Sequence, residues 1–413
     1  MNPAKPKRKA VVLIVDGMGD LPVPELHGKT PLEAAFTPNL DRLASAGLYG
    51  QIDPIAPGVI PNTDSGTGML MGMQPEHAEL LRRGPVEAAG AGAKLRNGDI
   101  ALRVNFASVD EVDGQILVRD RRAGRIEQDV PKLLEVLAQI PVPDGLELQL
   151  RPTDQHRAVL VFSGTGLDAA ITDTDPGDDV LPAPLLRSRA LRTEADHTAD
   201  LLNRYLDQVR ALLQDHDLNQ QRVQQGKLPA NALITRGAGA AIDIGNLITR
   251  SGMSAAVVAG CNTVRGLGRL FEFESIRDPR FTAKRNTDID AKIEAAIRAL
   301  QGHDMVFVHF KAPDLCAHDQ EPLAKMEILQ RFDAALAPLL EQAVVIACAA
   351  DHSTDSNTGK HTADPVPSLL YTPDRDLSVN GVKFGESACR AGNMERQNSG
   401  AFLRRVLQQM QLT

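Results

Sequence analysis

Three continuous apolar runs, at residues 10–15, 305–310 and 343–348, dominate the hydrophobic pattern of the chain. Runs of this length favour strands buried on both faces, because they are too short for buried helices. A helix is predicted at 38–46, with proline at its start and glycine after its end. The pattern therefore predicts an α/β fold: a mainly parallel sheet flanked by helices.

Acidic residues and histidines follow these predicted strands. Asp16 comes directly after the first run, Asp314 and His318 lie beyond the second, and Asp351 and His352 follow the third. Because ligands of open parallel sheets bind beyond the carboxyl ends of the strands, we expect these side chains to converge. Mixed carboxylate and imidazole ligands suit zinc, manganese or a similar divalent ion better than calcium. The candidate metal ligands are Asp16, Asp314, His318, Asp351, His352 and His361.

The pattern changes between these strands. Short strand-like runs at 102–109, 115–118, 146–150 and 157–162 surround a helix-like segment at 127–140. They predict a small inserted α+β domain, with bounds 1–103 for the first part of the core, 104–189 for the insertion and 190–413 for the second part. The amphipathic segment 192–214 is expected to return the chain to the core domain.

Composition excludes some classes of function. Over 413 residues the net charge is −8, aromatic residues make up 3% and tryptophan is absent, which disfavours a nucleic-acid-binding surface. The four cysteines show no CxxC spacing and are expected to be reduced. Neither a signal peptide nor a membrane-spanning run is recognisable, so we expect a cytoplasmic protein without a membrane partner.

Ser65 is the candidate nucleophile. It lies in a glycine-flanked segment before a predicted helix that begins near Gly68. One interpretation is an ordinary helix-capping serine. The other is a hydroxyl nucleophile activated by a metal ion, with the helix N-terminus favouring a phosphate.

Together these residues resemble the alkaline phosphatase superfamily, and within it the archaeal-type cofactor-independent phosphoglycerate mutases. The resemblance covers essentially the whole chain and depends on several motifs. These are Asp-Gly-Met-Gly at 16–19, Asn-Thr-Asp-Ser-Gly at 62–66, and the segments 83–88, 103–107, 120–125, 309–314, 351–354 and 361–367.

The resemblance implies a site with two divalent metal ions, manganese above all, or zinc, cobalt or magnesium. One ion would be held by Asp16, Ser65, Asp351 and His352, and the other by Asp314, His318 and His361. Ser65 would take the phosphate of 3-phosphoglycerate, and the bound glycerate would reorient and take it back on its 2-hydroxyl. The insertion would close over the site and exclude water, and no 2,3-bisphosphoglycerate would be needed.

Cations are needed for the phosphate and carboxylate of such a substrate. The candidates are Lys311, Arg83, Arg103, Arg122 and Arg236, although a surface or salt-bridge role suits each arginine equally well. One position departs from the family: Gly177 replaces the histidine that usually follows Asp-Pro, which puts the substrate in question.

The sequence thus predicts a metal-dependent enzyme that interconverts 3-phosphoglycerate and 2-phosphoglycerate in glycolysis or gluconeogenesis. A phosphatase or a phosphotransferase for another small phosphorylated acid or sugar is the first alternative, because it needs the same metals and nucleophile. A non-enzymatic binding module is the second, and the complete ligand set disfavours it. The expected partner is a small phosphorylated carboxylic acid, and the chain could form a homo-oligomer.

Overall fold

The computed structural model describes residues 8–78, 81–177, 180–241, 244–379 and 381–411. The chain forms two compact units, Met1–Leu80 with Ile244–Thr413 and Leu81–Asp243. Within the described parts of the chain, no helix is both long and apolar enough to cross a lipid bilayer.

Sixteen strands are found in these described segments. They are β1 (Ala10–Val15), β2 (Leu48–Asp53), β3 (Ile100–Val112), β4 (Gln115–Asp120), β5 (Glu147–Pro152), β6 (Arg157–Ser163), β7 (Ala183–Pro184), β8 (Ala232–Ala240), β9 (Ala255–Val258), β10 (Glu274–Ile276), β11 (Met305–Phe310), β12 (Val345–Ala349), β13 (Ser353–Asp355), β14 (Lys360–Thr362), β15 (Val366–Tyr371) and β16 (Gln397–Asn398).

The α-helices of the described segments are α1 (Pro31–Ala34), α2 (Pro38–Ala46), α3 (Thr63–Leu70), α4 (Pro75–Ala78), α5 (Arg83–Ala91), α6 (Val130–Leu137), α7 (Asp196–Gln214), α8 (Asp217–Gln224), α9 (Leu247–Arg250), α10 (Asn262–Leu270), α11 (Ile289–Ala299), α12 (Ala312–His318), α13 (Pro322–Ala335), α14 (Ala337–Leu340), α15 (Glu386–Arg390) and α16 (Ser399–Gln411). Short 3-10 helices lie at Pro24–Leu26 and Thr193–Ala195.

The first unit is built on an eight-stranded sheet of order β10-β9-β11-β1-β12-β15-β2-β16. The five strands from β10 to β12 run parallel, and β15 is antiparallel to both of its neighbours. Every residue of β1 and β11 is buried, as their continuous apolar runs predicted. The α/β class and the mainly parallel sheet are therefore confirmed.

The second unit contains an antiparallel sheet in which the long strand β3 pairs with β4, β6 and β8. Helices α6 and α7 contribute apolar faces to the core on this sheet, where the Phe162 ring meets the edge of Tyr205 at 6.0 Å. Its apolar core is thus independent of the eight-stranded sheet.

Two sequence predictions about domain organisation differ from this arrangement. The compact inserted unit spans Leu81–Asp243 rather than 104–189, because β3 begins at Ile100 and its partner β8 extends to Ala240. Helix α7 was expected to return the chain to the core domain. This was wrong, because its apolar face packs in the core of the second unit.

Candidate metal centre

The registers of the parallel strands bring three polar residues to one level. Val15 lies opposite Phe310, so the next residues along β1 and β11 are Asp16 and Lys311. The register of β1 with β12 brings Asp351 to the same edge of the sheet. Because all of these strands run in the same direction, their carboxyl ends lie at one edge of the sheet. Ligands of open α/β sheets bind at this edge.

Asp16, Asp351 and His352 form the first group of donors. All three side chains are fully buried, and their ligand atoms lie within 4.8 Å of one another. His352 Nε2 is 3.1 Å from Asp16 Oδ1 and 3.7 Å from Asp351 Oδ1. Gly17 permits this close packing: its φ is +63°, and a Cβ there would lie 2.9 Å from the backbone of Asp314.

Asp314 is the centre of the second group. His361 Nε2 lies 3.4 Å and His318 Nε2 3.3 Å from Asp314 Oδ1, and the two Nε2 atoms are 3.3 Å apart. Asp314 and His318 are one turn apart on α12, on the same face. The His361 ring stacks on His352 with centroids 3.7 Å apart.

The structure thus brings the six predicted carboxylate and imidazole ligands together. They are not two separate sets, however. His352 has its donor atom within reach of Asp16 and Asp351, and also of Asp314 and His361.

Lys311 carries the positive charge nearest to these carboxylates. Its Nζ lies 2.6 Å from Asp314 Oδ2 and 3.0 Å from Asp16 Oδ2. Burial alone would raise the pKa of both carboxyls, but Lys311 and the hydrogen bonds from neighbouring histidines together outweigh it and hold both pKa values below their usual range. Burial and then the charge of Asp16 raise the pKa of Asp351. Burial disfavours the imidazolium of His352, yet Asp351 and Asp16 raise its pKa to about 9.

The donor set fits divalent metal ions. Three carboxylates and three imidazoles at this spacing suit manganese or zinc, which accept both oxygen and nitrogen ligands. In addition, the buried Asp314 Oδ2 receives no well-directed hydrogen bond from a described residue, although Lys311 Nζ is close to it. A carboxylate oxygen left in this way has lone pairs free for a cation.

Helix α3 presents one face to this centre. Thr67 Oγ1 donates to Asp351 Oδ2 at 2.9 Å, and a Cβ on Gly66 would overlap the carbonyl oxygen of Asp351. Thr63, one turn before Thr67, is 7% exposed and lies with its Oγ1 3.5 Å from His352 Nε2. Residues at positions i, i+3 and i+4 share one side of a helix, so all three belong to the face that meets the metal ligands.

Ser65 lies on α3 but is engaged elsewhere. Its Oγ donates to the carbonyl oxygen of Asn62 at 3.2 Å and accepts from the Asn62 amide at 3.0 Å. The helix begins at Thr63, before Ser65, whereas the sequence predicted a loop there. Asn62 is the N-cap residue and Ser65 is the third residue of the helix, so the interpretation of Ser65 as the N-cap serine is wrong. Its hydroxyl instead forms part of a capping box with Asn62.

Sequence reasoning missed two buried residues that hold ligands in place. His309 Nε2 is 3.0 Å from Asp16 Oδ2, and Thr354 Oγ1 donates to Asp314 Oδ1 at 2.9 Å while lying 3.0 Å from His352 Nδ1. A histidine within an otherwise apolar strand was the available signal for His309. The threonine carried no signal of its own beyond following the Asp-His pair.

The second unit contains a cluster of arginines on its sheet. Buried Arg103 on β3 lies opposite Arg236 on β8. Burial, followed by the charges of Arg83 and Arg157, brings the pKa of Arg103 well below its usual value. Burial and the neighbouring guanidinium groups lower the pKa of His156 to about 3. Arg157 and His156 were not predicted. The arginines make this part of the unit strongly cationic, whereas a pKa of about 3 leaves His156 uncharged at neutral pH.

Arg122, the remaining predicted arginine, and Gly177, the position that departs from the family pattern, lie in the same unit. Arg122 is exposed, and its partial desolvation, followed by the charge of Arg125, lowers its pKa. Gly177 has a φ of +95° and donates its amide to Asp175 Oδ1 at 3.1 Å. A histidine would be strained in this backbone conformation, so Gly177 changes the local chain path as well as the side chain.

Comparison with known proteins gives a consistent family. The sequence model of 2,3-bisphosphoglycerate-independent phosphoglycerate mutases matches residues 44–219. The mutase of that name from Methanopyrus kandleri is 42% identical over 89% of this chain and 88% of its own, and the one from Ignicoccus hospitalis is 39% identical over 93% of both.

Solved structures agree over almost the full length. A protein from Pyrococcus horikoshii superimposes with a TM-score of 0.80 at 30% identity, covering 98% of this chain and 97% of its own. The cofactor-independent phosphoglycerate mutase from Thermoplasma acidophilum gives a TM-score of 0.68 at 32% identity, covering 97% and 99%. The chain therefore belongs to the 2,3-bisphosphoglycerate-independent phosphoglycerate mutase family.

Proposed function

We propose that this protein interconverts 3-phosphoglycerate and 2-phosphoglycerate through a phosphoenzyme formed at a centre of two divalent metal ions, as a step of glycolysis or gluconeogenesis. The observation that carries the proposal is the convergence of three carboxylates and three histidines beside the hydroxyl-bearing first turn of α3. The names of the relatives supply the substrate class.

Asp16, Asp351 and His352 would hold one ion, and Asp314, His318 and His361 the other. When bound, such ions lower the pKa of a coordinated hydroxyl and neutralise charge on a phosphoryl group. Manganese is our first choice, as it was from the sequence, and zinc, cobalt and magnesium are the alternatives. His309 and Thr354 would orient the ligands by the hydrogen bonds described above.

The first turn of α3 would carry the phosphoryl acceptor. The substrate's phosphate passes to a hydroxyl of this turn, where the helix N-terminus favours a negative charge. The glycerate left behind turns and takes the phosphate back on its other hydroxyl. The sequence placed the acceptor at Ser65.

Fixed cations would hold the substrate's anionic groups. Lys311 would contact the phosphoryl group, and its Nζ lies close to both Asp16 and Asp314, which supports this role. In the second unit, the buried Nε atoms of Arg83, Arg103 and Arg157 have no hydrogen-bond partner among the described residues. We propose that this arginine cluster, with Arg122 and Arg236 beside it, binds substrate anions, because guanidinium groups pair well with carboxylate and phosphate.

The test is an assay of purified protein with manganese and 3-phosphoglycerate, without 2,3-bisphosphoglycerate, following 2-phosphoglycerate and free phosphate together. Isomerisation with little free phosphate is expected. Asp351→Asn should abolish it, whereas Asp376→Asn, an exposed change far along the chain, should not. Release of free phosphate without 2-phosphoglycerate would overturn the proposal in favour of a phosphatase.

A further inference from the structure

Two hydroxyls, those of Thr63 and Ser65, lie on the first turn of α3, and only one can face the metal ligands. Successive helical residues are turned by about 100°, so these two side chains point about 200° apart. The side of α3 that meets Asp351 and His352 is fixed by Gly66 and Thr67. Thr63 is four residues before Thr67 and shares that side, whereas Ser65 does not.

We propose that Thr63, not Ser65, is the nucleophile that carries the phosphoryl group. This assignment rests on the proposed function and names the acceptor atom within it. Lys311 Nζ donates to Thr63 Oγ1 at 3.1 Å and to Asp16 Oδ1 at 3.1 Å. The hydroxyl therefore lies within the group of carboxylates, histidines and lysine that would surround a transferring phosphate.

The two candidate nucleophiles, Thr63 and Ser65, also differ in burial and in hydrogen bonding. Thr63 is 7% exposed, so its hydroxyl is shielded from water that would compete as acceptor. Ser65 Oγ uses its donor and one lone pair on the backbone of Asn62. Turning it toward the ligands would break both bonds and with them the capping box at the start of α3.

The chemical step balances with Thr63 as acceptor. Thr63 loses its hydroxyl proton to water, and its Oγ forms a bond to phosphorus as the bond from phosphorus to the substrate's ester oxygen breaks. The electron pair of that bond stays on the departing oxygen, which takes up one proton from water. The return step reverses this with the other hydroxyl of glycerate, so no other reactant is consumed.

Trapping of the phosphoenzyme tests the assignment. Wild-type protein, Thr63→Val, Thr63→Ser and Ser65→Ala are each mixed with manganese and phosphate-labelled 3-phosphoglycerate, quenched in acid and mapped by mass spectrometry. Label is expected as phosphothreonine at position 63 in wild type and in Ser65→Ala, and as phosphoserine at position 63 in Thr63→Ser. Thr63→Val should carry no label and should lose about a thousandfold or more in isomerisation rate.

Controls separate chemistry from folding. The melting temperature of each variant is recorded, and Ser65→Ala, which loses the capping bonds, should be the less stable of the two hydroxyl deletions. Label on Ser65, or more than about a tenth of the wild-type rate in Thr63→Val, overturns the assignment. If wild type isomerises but no label survives the quench, the isomerisation rates of Thr63→Val and Ser65→Ala decide between the two hydroxyls. A wild-type protein that neither isomerises nor takes label overturns the proposed function, and the assignment with it.

Discussion

Lys325 Nζ donates to Asp20 Oδ2 at 2.7 Å, and both side chains are completely buried. The same ammonium donates to the carbonyl oxygens of Gly19 and Thr354 at 3.2 and 3.1 Å. It thereby joins the loop that follows Asp16 to strand β13, which contains Thr354. A buried ammonium with three oxygen partners satisfies all its donors, so this lysine fixes the spacing of two segments that directly follow metal-ligand residues.

Lys325→Met should destabilise the protein by about 3–5 kcal/mol, because it leaves the Asp20 carboxylate buried without its counter-charge. Urea unfolding of the metal-free protein measures this. The double variant Lys325→Met with Asp20→Asn removes both charges and should recover a large part of the loss. Equal destabilisation in the single and double variants would show that the charge pair is not the cause.

Glu386 should make stability depend on pH. Burial raises its pKa from the ordinary 4.5 to about 7, against a smaller opposing effect of the hydrogen bond from Thr30. A carboxyl with a raised pKa binds its proton more tightly in the folded state, so stability is lost as the pH rises from about 4.5 through 7. The loss is about 3 kcal/mol at most.

Glu386→Gln keeps the shape of the side chain without its charge. The variant should match wild type near pH 5 and be the more stable of the two at pH 8, as measured by urea unfolding over this range. Glu341→Gln, at an exposed position, is the control. A difference between Glu386→Gln and wild type that is the same at both pH values would contradict the account.

Thr354 should set metal affinity through its two hydrogen bonds. Its hydroxyl donates to Asp314 Oδ1, so its oxygen is free to accept from His352 Nδ1, which leaves His352 Nε2 as the metal-binding nitrogen. Thr354→Val should weaken manganese binding by about 10–100-fold in a competition titration. Thr358→Val, in the turn that follows β13, loses only a bond to Asp355 and should bind as wild type does. Similar affinities for both variants would refute the orienting role.

His361 should be needed for one of the two ions. Its Nε2 lies beside both Asp314 and His318, and the second group has no described histidine that could replace it. His361→Ala should reduce the metal content from about two ions per chain to about one, measured by elemental analysis after gel filtration. His27→Ala at an exposed turn serves as the control. Two ions per chain in His361→Ala would show that our assignment of the second ion is wrong.

The sequence predicted β1 and β11 at their observed bounds and β12 within two residues, because runs of apolar residues buried on both faces have no other stable location. It did not predict that α7 belongs to the second unit. An amphipathic pattern shows that a helix has an apolar side, but not which core that side meets.

The choice between Thr63 and Ser65 shows a second limit. Glycines at 66 and 68 disfavour helix, so the sequence predicted a loop and gave no basis for comparing side-chain directions. Once α3 begins at Thr63, packing against Asp351 fixes its rotation, and the two hydroxyls are no longer equivalent. Only long-range contacts supply that rotation.

The central claim, that phosphate moves from the substrate to the protein and back without passing to water, is tested most directly in water labelled with oxygen-18. The protein, manganese and 3-phosphoglycerate are incubated to equilibrium, and the phosphate groups are analysed by mass spectrometry. The account predicts 2-phosphoglycerate whose phosphate contains no oxygen-18. Labelled free phosphate in place of 2-phosphoglycerate, or label within the product's phosphate, would contradict it.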